Sequence, residues 1–256
     1  MKHARIQYQG STFHVTVDPQ GNICLPDGRN VSSEHVIWLP PATGTLFALG
    51  LNYADHAAEL DFSPPKEPLI FIKAPHSFTG HRQVSVRPDN IEYMHYEAEL
   101  VVVVGKPARY LNPAHAMDYV AGYTLCNDYA VRDYLENYYR PNLRVKSRDT
   151  LTPIGPWIVD KADIPNPHNL VIRTWVNGEL CQRGNTADLI FDIPFLMAYL
   201  SEFITLQPGD MIATGTPKGL SNVVPGDEVV VEVDVDGIGC LLNRVISQTD
   251  YEDGLL

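Results

Sequence analysis

Glycine and proline punctuate this chain so densely that long regular elements cannot form. The sequence holds 18 glycines and 20 prolines, and from Gly44 onward almost every short β-rich run is closed by one of them. Proline removes a backbone donor and glycine weakens any element it interrupts, so many short strands are favoured over helices. The spacing predicts strands over 45–51, 69–73, 97–104, 120–126, 154–159, 170–176, 211–214, 228–235 and 239–245. Helical periodicity is confined to 113–119, 130–138 and 193–203. The class is therefore β-rich α+β. No strand–helix alternation is present, and no G-x-G-x-x-G follows a strand. Residues 1–43 alternate polar and apolar positions around Asp18-Pro19-Gln20-Gly21 and read as a small N-terminal β-hairpin segment, with 44–256 as the main domain.

Apolar residues make up 45% of the chain, enough for a substantial core. The longest strictly apolar runs, such as Leu100 to Val104, are far too short to cross a bilayer. The N-terminus leads into polar residues rather than a signal-like apolar stretch. Cys24, Cys126, Cys181 and Cys240 are scattered without a C-x-x-C pair. Reduced, packed thiols in a cytoplasmic protein are the expectation. A net charge of −12 argues against nucleic-acid or anionic-membrane partners. It leaves room for a small acidic substrate, because a metal ion and a few cations reverse the sign inside one cleft.

Two carboxylates sit where a core strand should not have them. In His95-Tyr96-Glu97-Ala98-Glu99-Leu100-Val101-Val102-Val103-Val104 the valine run predicts a strand buried on both faces. Glu97 and Glu99 lie at its mouth on one face, with Cα atoms roughly 6.6 Å apart. Like charges there repel and lose hydration, and a divalent cation removes both costs. Oxygen ligands select magnesium, manganese or calcium over zinc. A solvated strand end would carry the same two residues, so the pair alone does not decide. Asp128 adds a third carboxylate at the start of the stretch 130–138. It reads either as a helix N-cap, with Arg132 as its i,i+4 partner, or as a metal ligand beside an arginine that grips a substrate carboxylate.

Cations cluster nearby. Arg140–Asp149 holds four of the chain's 19 lysines and arginines. A solvated basic loop would look the same, but in so acidic a chain an anion-binding role is favoured, with Lys146 as a direct substrate contact. His56 and Glu59 are i,i+3 neighbours in a predicted helical turn. A carboxylate beside an imidazole fixes its tautomer and suits it to acid/base work, and the following Asp61–Lys66 loop could carry the pair as a lid. Gly215-Thr216-Pro217 forms a turn whose N–H groups and hydroxyl could bind an oxyanion. His95-x-Glu97 also admits a non-haem iron oxygenase, and a catalytically silent binding protein is a further alternative.

Taken together, several motifs resemble the fumarylacetoacetate hydrolase family. They are Leu51-Asn52-Tyr53-Ala54-Asp55-His56, Phe71-Ile72-Lys73, Tyr96-Glu97-Ala98-Glu99-Leu100, Gly122-Tyr123-Thr124 with Asn127-Asp128 and Arg132-Asp133, Lys146-Ser147 with Asp149, Pro153-Ile154-Gly155-Pro156-Trp157, Val176-Asn177-Gly178-Glu179 and Gly215-Thr216-Pro217-Lys218-Gly219. They run in the family's order across roughly 45–246. The resemblance implies a mixed β-roll or β-barrel, 44–256 as the catalytic domain, and a homodimer. It implies Mg2+ (or Mn2+) on Glu97, Glu99 and Asp128. It also implies catalytic roles for His56 and Glu59, as an acid/base pair, and for Lys146, with substrate contacts at Arg132, Lys146, Thr216 and Lys73. The stretch Tyr138 to Asp149 resembles the decarboxylase half of the bifunctional isomerase/decarboxylases of 4-hydroxyphenylacetate (homoprotocatechuate) degradation. This implies decarboxylation of 5-oxopent-3-ene-1,2,5-tricarboxylate to 2-hydroxyhepta-2,4-dienedioate. The alternatives within the family are isomerisation of 2-hydroxyhepta-2,4-diene-1,7-dioate and acylpyruvate hydrolysis. Only one family domain is present, so a separate isomerase subunit is a possible partner.

Overall fold

Every residue of the strand Ala98–Val104 is buried, and its neighbours explain why. It pairs antiparallel with Val120–Asn127 on one edge and with Met211–Ala213 on the other. Its even-numbered residues Leu100, Val102 and Val104 join one core cluster, and Val101 and Val103 join a second. The strand is thus buried on both faces, as its valine run requires. The structure, a computed structural model, describes residues 1–59, 63, 65–135, 142–233 and 237–254.

The central strand belongs to a 12-stranded sheet. Met211–Ala213 passes to Leu46–Gly50 in parallel, and that strand to Leu69–Lys73, where this side ends. On the other side Val120–Asn127 pairs with Thr152–Asp160, which pairs in turn with Lys2–Tyr8. The N-terminal hairpins therefore continue the large sheet, over a small core of Ala4, Ile6, Val15, Val17, Ile23, Leu25 and Trp38. A second sheet of five strands runs Glu179–Asn185, Val171–Val176, Glu228–Val233, Gly239–Ser247, Val84–Arg87. Ile172, Val231, Val233 and Leu241 of this sheet meet Leu100, Val102, Tyr123 and Leu125 of the first, with Leu196, Met197 and Leu200 of the helix Ile193–Phe203 closing the cluster. The architecture is strand-rich with few helices, and the described strands do not close into a barrel.

The helix Ile193–Phe203 forms where its periodicity predicts it, with Asp192 accepting from Phe195 N at 2.9 Å as N-cap. The stretch 113–119 winds as a 3-10 helix capped by Asn112. The predicted helix over 130–138 is corrected. Ala130–Val131 is a short strand paired with Met94–His95, and among the described residues of the stretch only Arg132–Tyr134 turns, as a 3-10 helix. Residues 136–141 lie outside the described residues. The non-local ladder overrides the local pattern here. Asp133 locks it by accepting from Glu92 N at 2.7 Å and Tyr93 N at 2.8 Å. Val84–Arg87 and Glu179–Asn185 are strands that the alternation did not reveal. The four cysteines are free thiols, and no described helix is long and apolar enough to cross a membrane.

One joint of this fold is pH-sensitive. His81 Nδ1 accepts from Leu242 N at 3.1 Å and its ring stands edge-on to Trp38. Burial, helped by Arg82, pulls its pKa down from 6.5 to about 4. The unfolded chain then binds the proton more readily, so stability is present above pH 6.5 and is lost as pH falls towards 4. The full loss is roughly 3 kcal/mol. His81→Asn keeps an acceptor for Leu242 N–H and is expected to flatten urea stability between pH 7 and 4.5. A variant whose acid slope matches wild type would refute the assignment.

Candidate metal centre

The site forms where two neighbouring strands begin and end. The register sets Ala98 opposite Asn127 and Glu99 opposite Cys126. Asn127 Oδ1 accepts from Glu97 N at 2.9 Å, and Asp128 N donates to Glu97 O at 2.9 Å. These bonds turn Glu97, Glu99 and Asp128 towards one point, with carboxylate oxygens all within 4.8 Å of one another. All three are buried. Asp128 is therefore no helix cap; its backbone belongs to the strand crossing.

Two lysines answer the three carboxylates. Lys146 Nζ donates to Glu97 Oε2 at 2.5 Å, Asp128 Oδ2 at 2.9 Å and Asp128 O at 3.2 Å. Lys73 Nζ pairs with Asp128 Oδ1. Burial alone would push the Glu97 carboxyl up, but Lys146, His56 and Arg132 outweigh it and hold the group below the usual carboxylate value. The same competition, won by Asp128 and Glu97, raises the Lys146 ammonium. Burial wins at Lys73 and lowers it.

Glu99 is left with the unbalanced charge. Oε2 accepts from Gly215 N at 2.7 Å, while buried Oε1 has no partner among the described residues. Burial, then Asp128 and Glu97, push its carboxyl well above the usual value. An orphaned buried oxygen beside two more carboxylates fits a hard divalent cation, and the all-oxygen donor set fits magnesium or manganese. Mn2+ at a hundred times its dissociation constant stabilises by about 2.7 kcal/mol. That corresponds to a melting temperature about 5–10 °C higher in a chain of this size. Thermal melts with and without EDTA check this, and an unmoved Tm would count against a cation here.

The remaining predicted residues gather around this point. His56 Nδ1 lies 3.2 Å from Glu59 Oε2 on the helix Ala54–Glu59, and His56 is near enough to Glu97 to lower its carboxyl. Glu59 Oε1 accepts from Gly219 N at 2.9 Å, which docks this helix on the turn 215–219. Gly219 has φ +108°, and a Cβ there would meet Cys181 O at 2.3 Å, so only glycine fits. Of the expected lid 61–66, residues 61, 62 and 64 lie outside the described residues, as do 138–141 of the 138–149 stretch. Arg132 does not pair with Asp128; its Nε donates to His95 Nε2 at 2.6 Å. Both ring nitrogens of His95 are engaged, Nδ1 facing Tyr96 O at 3.3 Å, which leaves the His95-x-Glu97 iron reading without its histidine. Lys73 is 0% exposed against 8% for Lys146, and its ammonium pairs with Asp128. Gly215 N–H, expected at an oxyanion, holds Glu99 instead. Thr216 Oγ1 accepts from Gln182 Nε2 at 3.0 Å, which leaves its own hydrogen for another partner.

Three supporting residues are not among the predicted site residues. Asn52 donates to Thr214 O at 2.8 Å and anchors the Gly215 turn. Gln182 bridges Thr216, Pro217 O, Thr174 and Ala98 N. Asn127 aligns Glu97 through its backbone. Each acts across 30 or more residues of chain in at least one of these bonds.

Residues 45–246 match the family model described as fumarylacetoacetate (FAA) hydrolase, C-terminal. The chain belongs to the fumarylacetoacetate hydrolase family. It is 74% identical over 249 residues to the 4-hydroxyphenylacetate degradation bifunctional isomerase/decarboxylase of Escherichia coli, covering 96% of this chain and 58% of that protein. The chain thus spans little more than half the length of that relative. Among solved structures, 5-carboxymethyl-2-hydroxymuconate delta-isomerase from Mycobacterium smegmatis superposes with a TM-score of 0.85 at 34% identity, covering 97% and 99% of the two chains. Fumarylpyruvate hydrolase from Pseudomonas aeruginosa, in complex with Mn2+ and pyruvate, gives a TM-score of 0.75 at 31% identity over 82% of this chain and 92% of that one.

Proposed function

We propose that this family member is a magnesium- or manganese-dependent carboxy-lyase that converts 5-oxopent-3-ene-1,2,5-tricarboxylate to 2-hydroxyhepta-2,4-dienedioate. The observation that carries the reading is the buried Glu97, Glu99 and Asp128 cluster with its unpartnered Glu99 oxygen. The 74% identity to the Escherichia coli isomerase/decarboxylase supports this choice of substrate. A bound divalent cation supplies Lewis-acid stabilisation of charge developing on a 2-oxo group, typically worth several kcal/mol.

The protein's own groups do the rest. Arg132 and Lys146 bind and orient the carboxylates of the substrate. The bond to the departing carboxylate breaks, its electron pair moves through the conjugated alkene, and carbon dioxide leaves. The 2-oxo oxygen then takes one proton. Glu59 holds His56 by Nδ1 and leaves its Nε2 to deliver that proton. The Thr216 hydroxyl, which accepts from Gln182, keeps its hydrogen for a substrate oxygen. In this reading the protein is a cytoplasmic homodimer, and isomerisation is left to a separate partner subunit.

A second reading, isomerisation of an unsaturated hydroxy diacid such as 2-hydroxyhepta-2,4-diene-1,7-dioate, is supported by the likeness to the Mycobacterium smegmatis 5-carboxymethyl-2-hydroxymuconate delta-isomerase. It needs the same proton pair without carbon–carbon cleavage. Measuring headspace carbon dioxide with the triacid and Mg2+ or Mn2+ separates the two. Stoichiometric gas supports the lyase; a spectral change without gas would sink it.

A further inference from the structure

The ladder between Met94–His95 and Ala130–Val131 sets His95 opposite Ala130, so the chain leaving Ala130 brings Arg132 back over the His95 ring. Arg132 Nε donates to His95 Nε2 at 2.6 Å. A guanidinium donates from every nitrogen and accepts nothing. Nε2 must therefore be the acceptor, and the neutral ring carries its hydrogen on Nδ1. That N–H faces Tyr96 O at 3.3 Å and Glu97 Oε1 at 3.5 Å. His95 is 0% exposed, so no bulk water competes for either contact.

We infer that His95 is a positioning residue that couples the anion-binding guanidinium of Arg132 to the metal-site carboxylate of Glu97. This rests on the roles proposed above for Arg132 and Glu97. The imidazole is a rigid spacer with one acceptor end and one donor end. It fixes where the guanidinium stands relative to the cation's carboxylate, and so the span between a substrate's carboxylate and its 2-oxo group. Outer partners that orient a ligand commonly change metal affinity 10–100-fold when removed.

Two isosteric variants separate the two ends. His95→Asn keeps a donor near the Nδ1 position and loses the acceptor for Arg132; His95→Gln keeps an acceptor near Nε2 and loses the donor to Glu97. The readouts are the Mn2+ dissociation constant, from the paramagnetic resonance of the free ion, and the affinity of the Mn2+-loaded protein for 2-oxoglutarate, a 2-oxo diacid, by calorimetry. For His95→Asn, Mn2+ binding is expected within about threefold of wild type, with 2-oxoglutarate weakened about tenfold or more. His95→Gln is expected to reverse the pattern, weakening Mn2+ about tenfold or more with 2-oxoglutarate within about threefold. Nitrogen NMR of the metal-free wild type is expected to place the His95 hydrogen on Nδ1, a result that does not depend on either variant folding. Equal losses in both variants, no loss in either, or a hydrogen on Nε2 overturns the inference. A wild type that binds no Mn2+ overturns the metal reading instead, and the tautomer result then still decides whether the His95 geometry holds.

Discussion

Glu99→Gln is expected to raise the melting temperature of the metal-free protein while lowering turnover about a thousandfold or more. The two effects have one origin. Glu99 is fully buried, one of its oxygens has no partner, and Glu97 and Asp128 stand beside it. Its folded pKa lies well above the usual 4.5, so between those values the folded protein holds a proton that the unfolded chain has released. Stability contributed by this group is therefore present below pH 4.5 and is lost as pH rises through the folded value. A neutral isostere removes that pH dependence and the repulsion together. It also removes one of three anionic ligands, and a Lewis-acid contribution of about 4 kcal/mol corresponds to roughly a thousandfold in rate. Thermal melts of both proteins in EDTA from pH 5 to 9, with Mn2+ titrations and turnover, test it. A metal-free Glu99→Gln that melts below wild type at pH 8 would refute the account.

Lys146→Met is expected to act in the opposite direction. Its ammonium bridges Glu97 and Asp128, and those contacts outweigh burial and raise its affinity for the proton. Without it the Glu97 carboxylate is left buried with no cation bonded to it. Removing one partner of a buried pair typically costs about 3–5 kcal/mol. For a chain of this size that is a fall in melting temperature of roughly 6–20 °C. Mn2+ is expected to recover part of the loss, because a cation engages the same oxygens. Turnover is expected to stay down about tenfold to a hundredfold even when the site is loaded, as one charge-assisted bond to substrate is gone. An unchanged melting temperature in EDTA would show that Lys146 does not carry the charge balance.

The same opposition of charges explains why some of the site was legible in the sequence. Glu97 and Glu99 stood out because a period of two places them together, at the mouth of a valine run that has to be buried on both faces. His56 and Glu59 were legible through helical spacing, and the helix Ile193–Phe203 through its apolar periodicity. Those features are local, and local spacing survives in the sequence. The stretch 130–138 misled for the opposite reason. Its helical pattern is local, but Ala130–Val131 gains more by pairing with Met94–His95, and nothing within the stretch records that partner.

The sequence alone thus determined a strand-rich chain and two carboxylates that solvation would not tolerate unaided. Only the tertiary structure decided what meets them. It brought Asp128 across from the neighbouring strand, paired Lys73 with Asp128, and set Lys146 between two acids. It turned Arg132 onto His95 and left one oxygen of Glu99 without a partner. Coulomb and hydrogen-bond energies depend on distances of a few ångströms in space, and here those distances join residues up to 162 positions apart in the chain.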